Sequence, residues 1–112
     1  GYIDYIMPQL YYGFNNETRP FIKTLNEWNS LIKNDTKLIT ALSLYKAGTI
    51  DKYAKAGKYE WIENSNIIRK QIQVARNIIN YTGYAIFRYD YFININNNIN
   101  LQQEIGEYEK LF

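Results

Sequence analysis

Gln9 and Tyr11 place an amide and a phenol two residues apart, and Tyr12, Gly13 and Phe14 follow with aromatic surface and a flexible joint. Amides and phenols both donate and accept hydrogen bonds, and aromatic rings supply flat apolar faces. Such a set suits the floor of a ligand site, and the Gln9 amide adds hydrogen-bonding capacity that a core has no use for. The competing reading is that these are core tyrosines in a chain with 12 of them. Similar polar and aromatic groupings recur at Tyr45, at Tyr59-Glu60-Trp61 and at Tyr89-Asp90-Tyr91. Glu60 and Asp90 are the carboxylates with a claim to acid–base chemistry. Desolvation by Trp61 would raise the pKa of Glu60 and suit a general acid. The alternative is a solvated loop carboxylate with Trp61 packed beneath it. Asp90 stands between Tyr89 and Tyr91, two residues past Arg88. Glu17 is less well placed, and Asp4, toward the start of its strand, reads as structural.

The elements that would position these groups follow from periodicity. Tyr2 to Met7 alternates as a strand, and Pro8, lacking an N–H, predicts that pairing stops there. Asn15 to Pro20 reads as a loop, with Thr18 as cap and Pro20 in the first turn of a helix. Phe21, Leu25, Trp28, Leu31 and Ile32 recur at helical spacing. Lys33-Asn34-Asp35 supplies turn chemistry. Leu38 to Leu44 is a nearly unbroken apolar run, as in a parallel strand covered on both faces. Thr49 to Ile62 reads as a long functional loop. A second helix is expected from about Asn64 or Ser65, ended by Thr82-Gly83. Tyr84 to Phe92 then reads as a third strand, and Asn94 to Asn100 as a surface loop. A last helix carries Leu101, Ile105, Tyr108 and Leu111, with Asn100 and Gln103 resembling a capping box. Gly106 inside it costs about 1 kcal/mol relative to Ala.

The order β-α-β-α-β-α with right-handed crossovers gives an α/β fold with a parallel three-stranded sheet. Alone, such a sheet leaves two bare edges and one uncovered face. A complete (β/α)8 barrel takes about 250 residues, and this chain has the unit length of three consecutive barrel units. Gln9, Tyr11, Tyr45, Tyr89 and Asp90 all fall at or just past strand carboxyl ends, where barrel enzymes keep their chemistry.

Composition narrows the classes. With 112 residues, residues 1–112 make one segment with a modest core, and 46% hydrophobic and 17% aromatic content indicates a folded chain. A net charge of +2, with lysines interleaved among acids, argues against nucleic acid. With neither Cys nor His, the chain offers no thiol chemistry, no usual zinc site and no Ser-His-Asp triad. No metal or cofactor is expected, and Gly-rich phosphate-binding turns are missing between strand and helix. No apolar run approaches the ~20 residues of a membrane span. The chain opens on a strand rather than a basic-then-apolar leader, which leads us to expect a section of a longer protein.

The stretch Ile3-Asp4-Tyr5-Ile6-Met7-Pro8-Gln9-Leu10-Tyr11-Tyr12 resembles the Asp-Tyr-Ile-x-Pro-Gln-x-Tyr segment of the family-10-like glycosyl hydrolases. The resemblance continues through Trp28, Leu44-Tyr45-Lys46, Glu60-Trp61, Arg69-Lys70-Gln71 to Arg76, and Gly83-Tyr84-Ala85-Ile86-Phe87, covering Tyr2 to about Phe92. It implies the last three units of a (β/α)8 TIM barrel from the bacterial cell envelope or exterior, acting on glycan strands such as peptidoglycan. Gln9 and Tyr11 match its active-site face, and Tyr12 sits where the family often has Trp. The family's acidic Asp-Asp-Tyr strand end lies upstream of this motif and is not among these residues. Glycoside hydrolysis uses two carboxyl groups, roughly 5–10 Å apart. The expectation is therefore a hydrolase section that binds substrate through Gln9, Tyr11, Tyr12, Tyr45, Trp61 and Tyr89, contributes Glu60 or Asp90 as acid, and is poorly active alone. Its partner would be a polysaccharide or oligosaccharide, with self-association through exposed strand edges a further expectation. A non-catalytic carbohydrate-binding module and a structural fragment that pairs through those edges are the competing readings.

Overall fold

A computed structural model of the chain describes residues 5–32, 36–78, 80–87 and 98–112. Its elements are β1 (Tyr5–Ile6), α1 (Phe21–Leu31), β2 (Lys37–Ser43), 3-10 turns at Leu44–Lys46 and Lys55–Gly57, α2 (Glu60–Glu63), α3 (Ile67–Ala75), β3 (Tyr81–Phe87) and α4 (Ile99–Glu109). The three strands pair in parallel in the order β1-β2-β3. The fold is α/β, and parallel neighbours joined through helices are βαβ units.

Pro8 does not stop the pairing. Its carbonyl accepts from Ala41 N at 3.1 Å, Gln9 bridges Ala41, and Leu10 N donates to Ala41 O at 2.9 Å. Proline deletes one donor and leaves its acceptor intact, and β1 stands at the edge of this sheet, where such a loss is tolerated. The N-terminal pairing thus runs on to the residues of chemical interest.

Strand alternation divides the sheet into two unlike faces. Ile6, Leu10, Leu38, Leu42, Tyr84 and Ile86 meet Phe21 and Leu25 of α1, Ile68 and Ile72 of α3 and Leu101 of α4 in one core. Gln9, Ala41 and Ala85 share the other face through the register, with Met7, Ile39 and Phe87 on the same side by alternation. Ala41 is buried between strands yet stands outside the core cluster, and Tyr5 and Met7 are 62% and 47% exposed. Strands taken in chain order, each crossover with the same hand, put their helices on one side.

Several boundaries differ from the periodicity reading. Thr82 and Gly83 lie inside β3, which starts at Tyr81, and the second helix ends at Ala75. Leu38 N donates to Asn80 O at 2.7 Å, so ladder pairing with β2 overrides the helix-stop signal of Thr-Gly. The residue before α1 is Pro20 without a side-chain cap, while Thr18 Oγ1 donates to Tyr53 O at 2.6 Å. Asn98, rather than Asn100, caps α4 by accepting from Leu101 N at 3.0 Å. Asn100 instead donates through Nδ2 to Ile62 O at 2.8 Å. The stretch expected as a long loop folds into a 3-10 turn and α2. Among the described residues, no helix is long and apolar enough to cross a membrane.

Candidate functional site

The segment after β1 is held peptide by peptide. The Tyr11 carbonyl accepts from Lys46 Nζ, and the Tyr12 carbonyl accepts from Gln71 Nε2 at 2.8 Å. Phe14 N and Asn15 N donate to the two carboxylate oxygens of Glu60, each at 2.9 Å. Lys46, Gln71 and Glu60 come from the turn after β2, from α3 and from α2, so three elements fix one loop. Gly13 is required here: a Cβ would stand 2.0 Å from Glu60 Oε1. Gly57 is as constrained, since its Cβ would meet Asn15 O at 1.8 Å.

Beyond this loop lies an aromatic cluster on the face opposite the helices. Tyr11 packs edge-on to Tyr45, with centroids 5.7 Å apart at 90°, and tilts against Phe87 at 5.7 Å and 59°. Tyr11 lies two residues past the bridged Gln9, Tyr45 two past Ser43, and Phe87 pairs with Ser43. All three rings therefore sit at strand carboxyl ends. Gln9 is exposed beside them and Tyr45 is 37% exposed. Burial, and then the neighbouring Tyr45, push the Tyr11 hydroxyl above its usual range. It stays a neutral phenol able both to donate and to accept.

Tyr12 is half-buried, with the Arg19 guanidinium 5.6 Å and the Lys46 ammonium 5.8 Å from its ring centroid. Lys46 also pairs with Asp51 at 3.3 Å, in a largely enclosed position. Its ammonium thus ties Tyr11, Tyr12 and Asp51 together.

Glu60 is buried at the first position of α2, not solvated in a loop. Burial raises its pKa, while the Asn15 and Phe14 N–H groups pull the other way. Both oxygens already serve the backbone. Trp61 is fully buried in the core, so the ring face expected to meet a ligand packs against protein instead. Asp90, Tyr89, Arg88 and Asp4 lie outside the described residues. Glu17 is exposed and accepts from Ala56 N at 3.2 Å. The structure thus brings Gln9, Tyr11 and Tyr45 to one rim with Tyr12 beside them, and sends Glu60 and Trp61 inward.

Ser43, Lys46, Gln71 and Phe87 carried no expected site role, although the resemblance runs through the last three. Ser43 is buried, and its hydroxyl has no hydrogen-bond partner among the described residues. A hydroxyl between Leu42 and Leu44 in a nearly unbroken apolar run was the available signal for it. Nothing local marks Gln71, because its partner is 59 residues away. Among the described residues, no cluster of three or more His, Cys, Asp or Glu could hold a metal ion. The arrangement can stack on and hydrogen-bond a polyhydroxylated ligand.

The chain is similar to glycosyl hydrolase DigH of Escherichia coli strain K12, with 27% identity over 94 residues, covering 81% of this chain and 20% of that protein. Glycosyl hydrolase DigH of Shigella flexneri and of Escherichia coli O6:H1 align with the same identity and coverage. The chain spans about a fifth of the length of the curated relatives it matches. No family model matches the chain. No solved structure matches it either. These matches suggest a glycosyl hydrolase-like relationship and carry the family-10-like resemblance no further than that.

Proposed function

We propose that the chain is a section of a (β/α)8 glycoside hydrolase barrel of the family-10-like kind, supplying sugar-binding residues for cleavage of a peptidoglycan-like glycan of the bacterial envelope. The observation that carries this reading is the convergence of Gln9, Tyr11, Tyr45 and Phe87 at the carboxyl ends of parallel strands, on the face away from the helices. Barrel enzymes bind substrate at that end, and a one-sided sheet is what a barrel wall looks like when cut out. Tyr11 and Tyr45 would stack on sugar rings and hydrogen-bond their hydroxyls, with Gln9 adding an amide and Tyr12 lining the approach. Asp90 as a catalytic acid and Tyr89 as a sugar-binding residue stay in the proposal on the sequence alone. The catalytic pair would be completed by carboxylates in the remainder of a longer protein, because two are needed and Glu60 is committed to the Phe14 and Asn15 amides.

That commitment also favours the second reading, a carbohydrate-binding unit without catalysis. Incubating the purified chain with peptidoglycan oligosaccharides separates the possibilities. The proposal expects binding with no detectable release of shorter glycans, and cleavage by the longer protein that contains the segment. Robust hydrolysis by the 112-residue chain would overturn the proposal that the acids lie elsewhere. Binding without cleavage by the longer protein would establish the binding unit instead.

A further inference from the structure

A second concave surface lies apart from the rim cluster. A groove of about 430 Å³ runs between the Phe14–Asn15 segment, the α2–α3 connection and one face of α3. Its size falls within the ~300–1,000 Å³ typical of ligand sites. Asn66, Lys70, Gln73 and Asn77 line it at spacings of four, three and four residues, which places them in one row along the helix. Phe14 and Val74, both packed against the core, give the groove an apolar floor.

Most of the hydrogen-bonding capacity in this row is unused. Among the described residues, the side chains of Asn66, Lys70 and Gln73 have no hydrogen-bond partner. Asn77 Nδ2 makes only a long contact of 3.5 Å to Gln73 O. An ordinary solvated helix face is convex, and its charges are commonly paired along the helix. This one is concave and carries mainly amides. The one cation of the row, Lys70, acts on the Glu60 carboxylate at the groove's other wall, so the site has little net charge. That balance disfavours phosphates and other strong anions.

We infer that this groove is a second binding surface for a neutral, polyhydroxylated chain such as an acetamido-sugar oligomer, distinct from the strand-end rim. Carboxamides match sugar hydroxyls because each presents donors and an acceptor. Phe14 and Val74 take the apolar face of the ring. The inference goes beyond the rim reading and stands on different residues.

Chitotetraose serves as the probe, titrated into the ¹⁵N-labelled chain while amide resonances are followed. Side-chain NH2 signals of Asn66 and Gln73 report the groove directly, and backbone signals of Tyr11 and Tyr45 report the rim. The expected result is saturable movement of the Asn66 and Gln73 signals. The double variant Asn66→Ala, Gln73→Ala should then weaken the groove response about tenfold, the loss of two neutral hydrogen bonds. Gln73→Ala alone should weaken it less and keep the helix, since Ala is the better helix former. Unmoved Asn66 and Gln73 signals up to the solubility of the probe would overturn the inference. If Tyr11 and Tyr45 still respond in that case, the rim reading stands without the groove. A groove response with a silent rim would support the inference and remove the rim.

Discussion

Glu60 and Glu104 are buried carboxylates that each accept two main-chain N–H groups, Phe14 and Asn15 for the first and Ile67 and Ile68 for the second. Truncating Glu104 strands two buried donors, so Glu104→Ala should cost about 2–4 kcal/mol in urea unfolding, and Glu60→Ala, whose donors on Phe14 and Asn15 are closer to water, should cost less. Burial raises both pKa values above the ordinary carboxyl range. The folded chain therefore holds protons that the unfolded chain has released. Stability from these groups should fall as pH rises from the ordinary carboxyl range up to the raised folded value, and level off above it. A paired surface acid does the reverse. Urea midpoints across that window should show the downward slope, and Glu104→Gln should flatten it. Lys46→Met should also destabilise, by about 3 kcal/mol, because it leaves Asp51 enclosed without its cation and frees the Tyr11 carbonyl. Glu60 stood out in the sequence as an acid between aromatics, yet its role was not legible there. Its partners lie 46 and 45 residues away, and no local pattern encodes such a distance.

Helices and strands were legible where burial is one-sided. The stripes through Phe21, Leu25, Trp28 and Ile32 and through Ile68 and Ile72 read correctly because each helix packs one face on the sheet, whereas Leu31, counted in the first stripe, is 68% exposed. Errors fell where tertiary pairing outweighs local chemistry. Thr82-Gly83 looked like a helix stop but joins the ladder of β2, and Pro8 looked like a strand stop but keeps its acceptor. The start of α3 was equally hidden: its residue before the first turn, Asn66, makes no side-chain cap, and Glu104 of α4 satisfies Ile67 N and Ile68 N at 3.0 Å each. The two helices are further joined by Arg69 and Glu107 at 2.7 Å, and Tyr84 of β3 meets Tyr108 of α4 through their hydroxyls at 2.9 Å. Burial and that hydrogen bond push the Tyr108 phenol up to about 12. α4 thus acts as a brace on α3. Asn98→Ala removes the α4 cap and its contact to Ala47 O, and should lower stability by about 1 kcal/mol in thermal melts.

At the scale of the molecule, one face of the sheet carries the core and the other carries a small strip of apolar and aromatic residues ending in the Tyr11, Tyr45 and Phe87 cluster. Three strands in chain order, alternating with helices, were readable from the order of the segments alone. That one face would lack helices was readable as well, but which residues line it was not, because Leu38 to Leu44 reads as a nearly unbroken apolar run while only alternate residues reach the helices. Tyr5 of β1 and Met7 just past it, both exposed, should make the chain associate at high concentration, and Met7→Lys should reduce that association in light scattering. The proposed glycan-binding rim consists of aromatic and amide groups at the strand carboxyl ends. Its most direct test is the affinity of the chain for a peptidoglycan tetrasaccharide, measured by calorimetry for the wild type and for Tyr11→Ala, Tyr45→Ala. With the far-ultraviolet circular dichroism unchanged, the account predicts a loss of tenfold or more, about 1.4 kcal/mol or greater. Equal affinity in a folded double variant would contradict it.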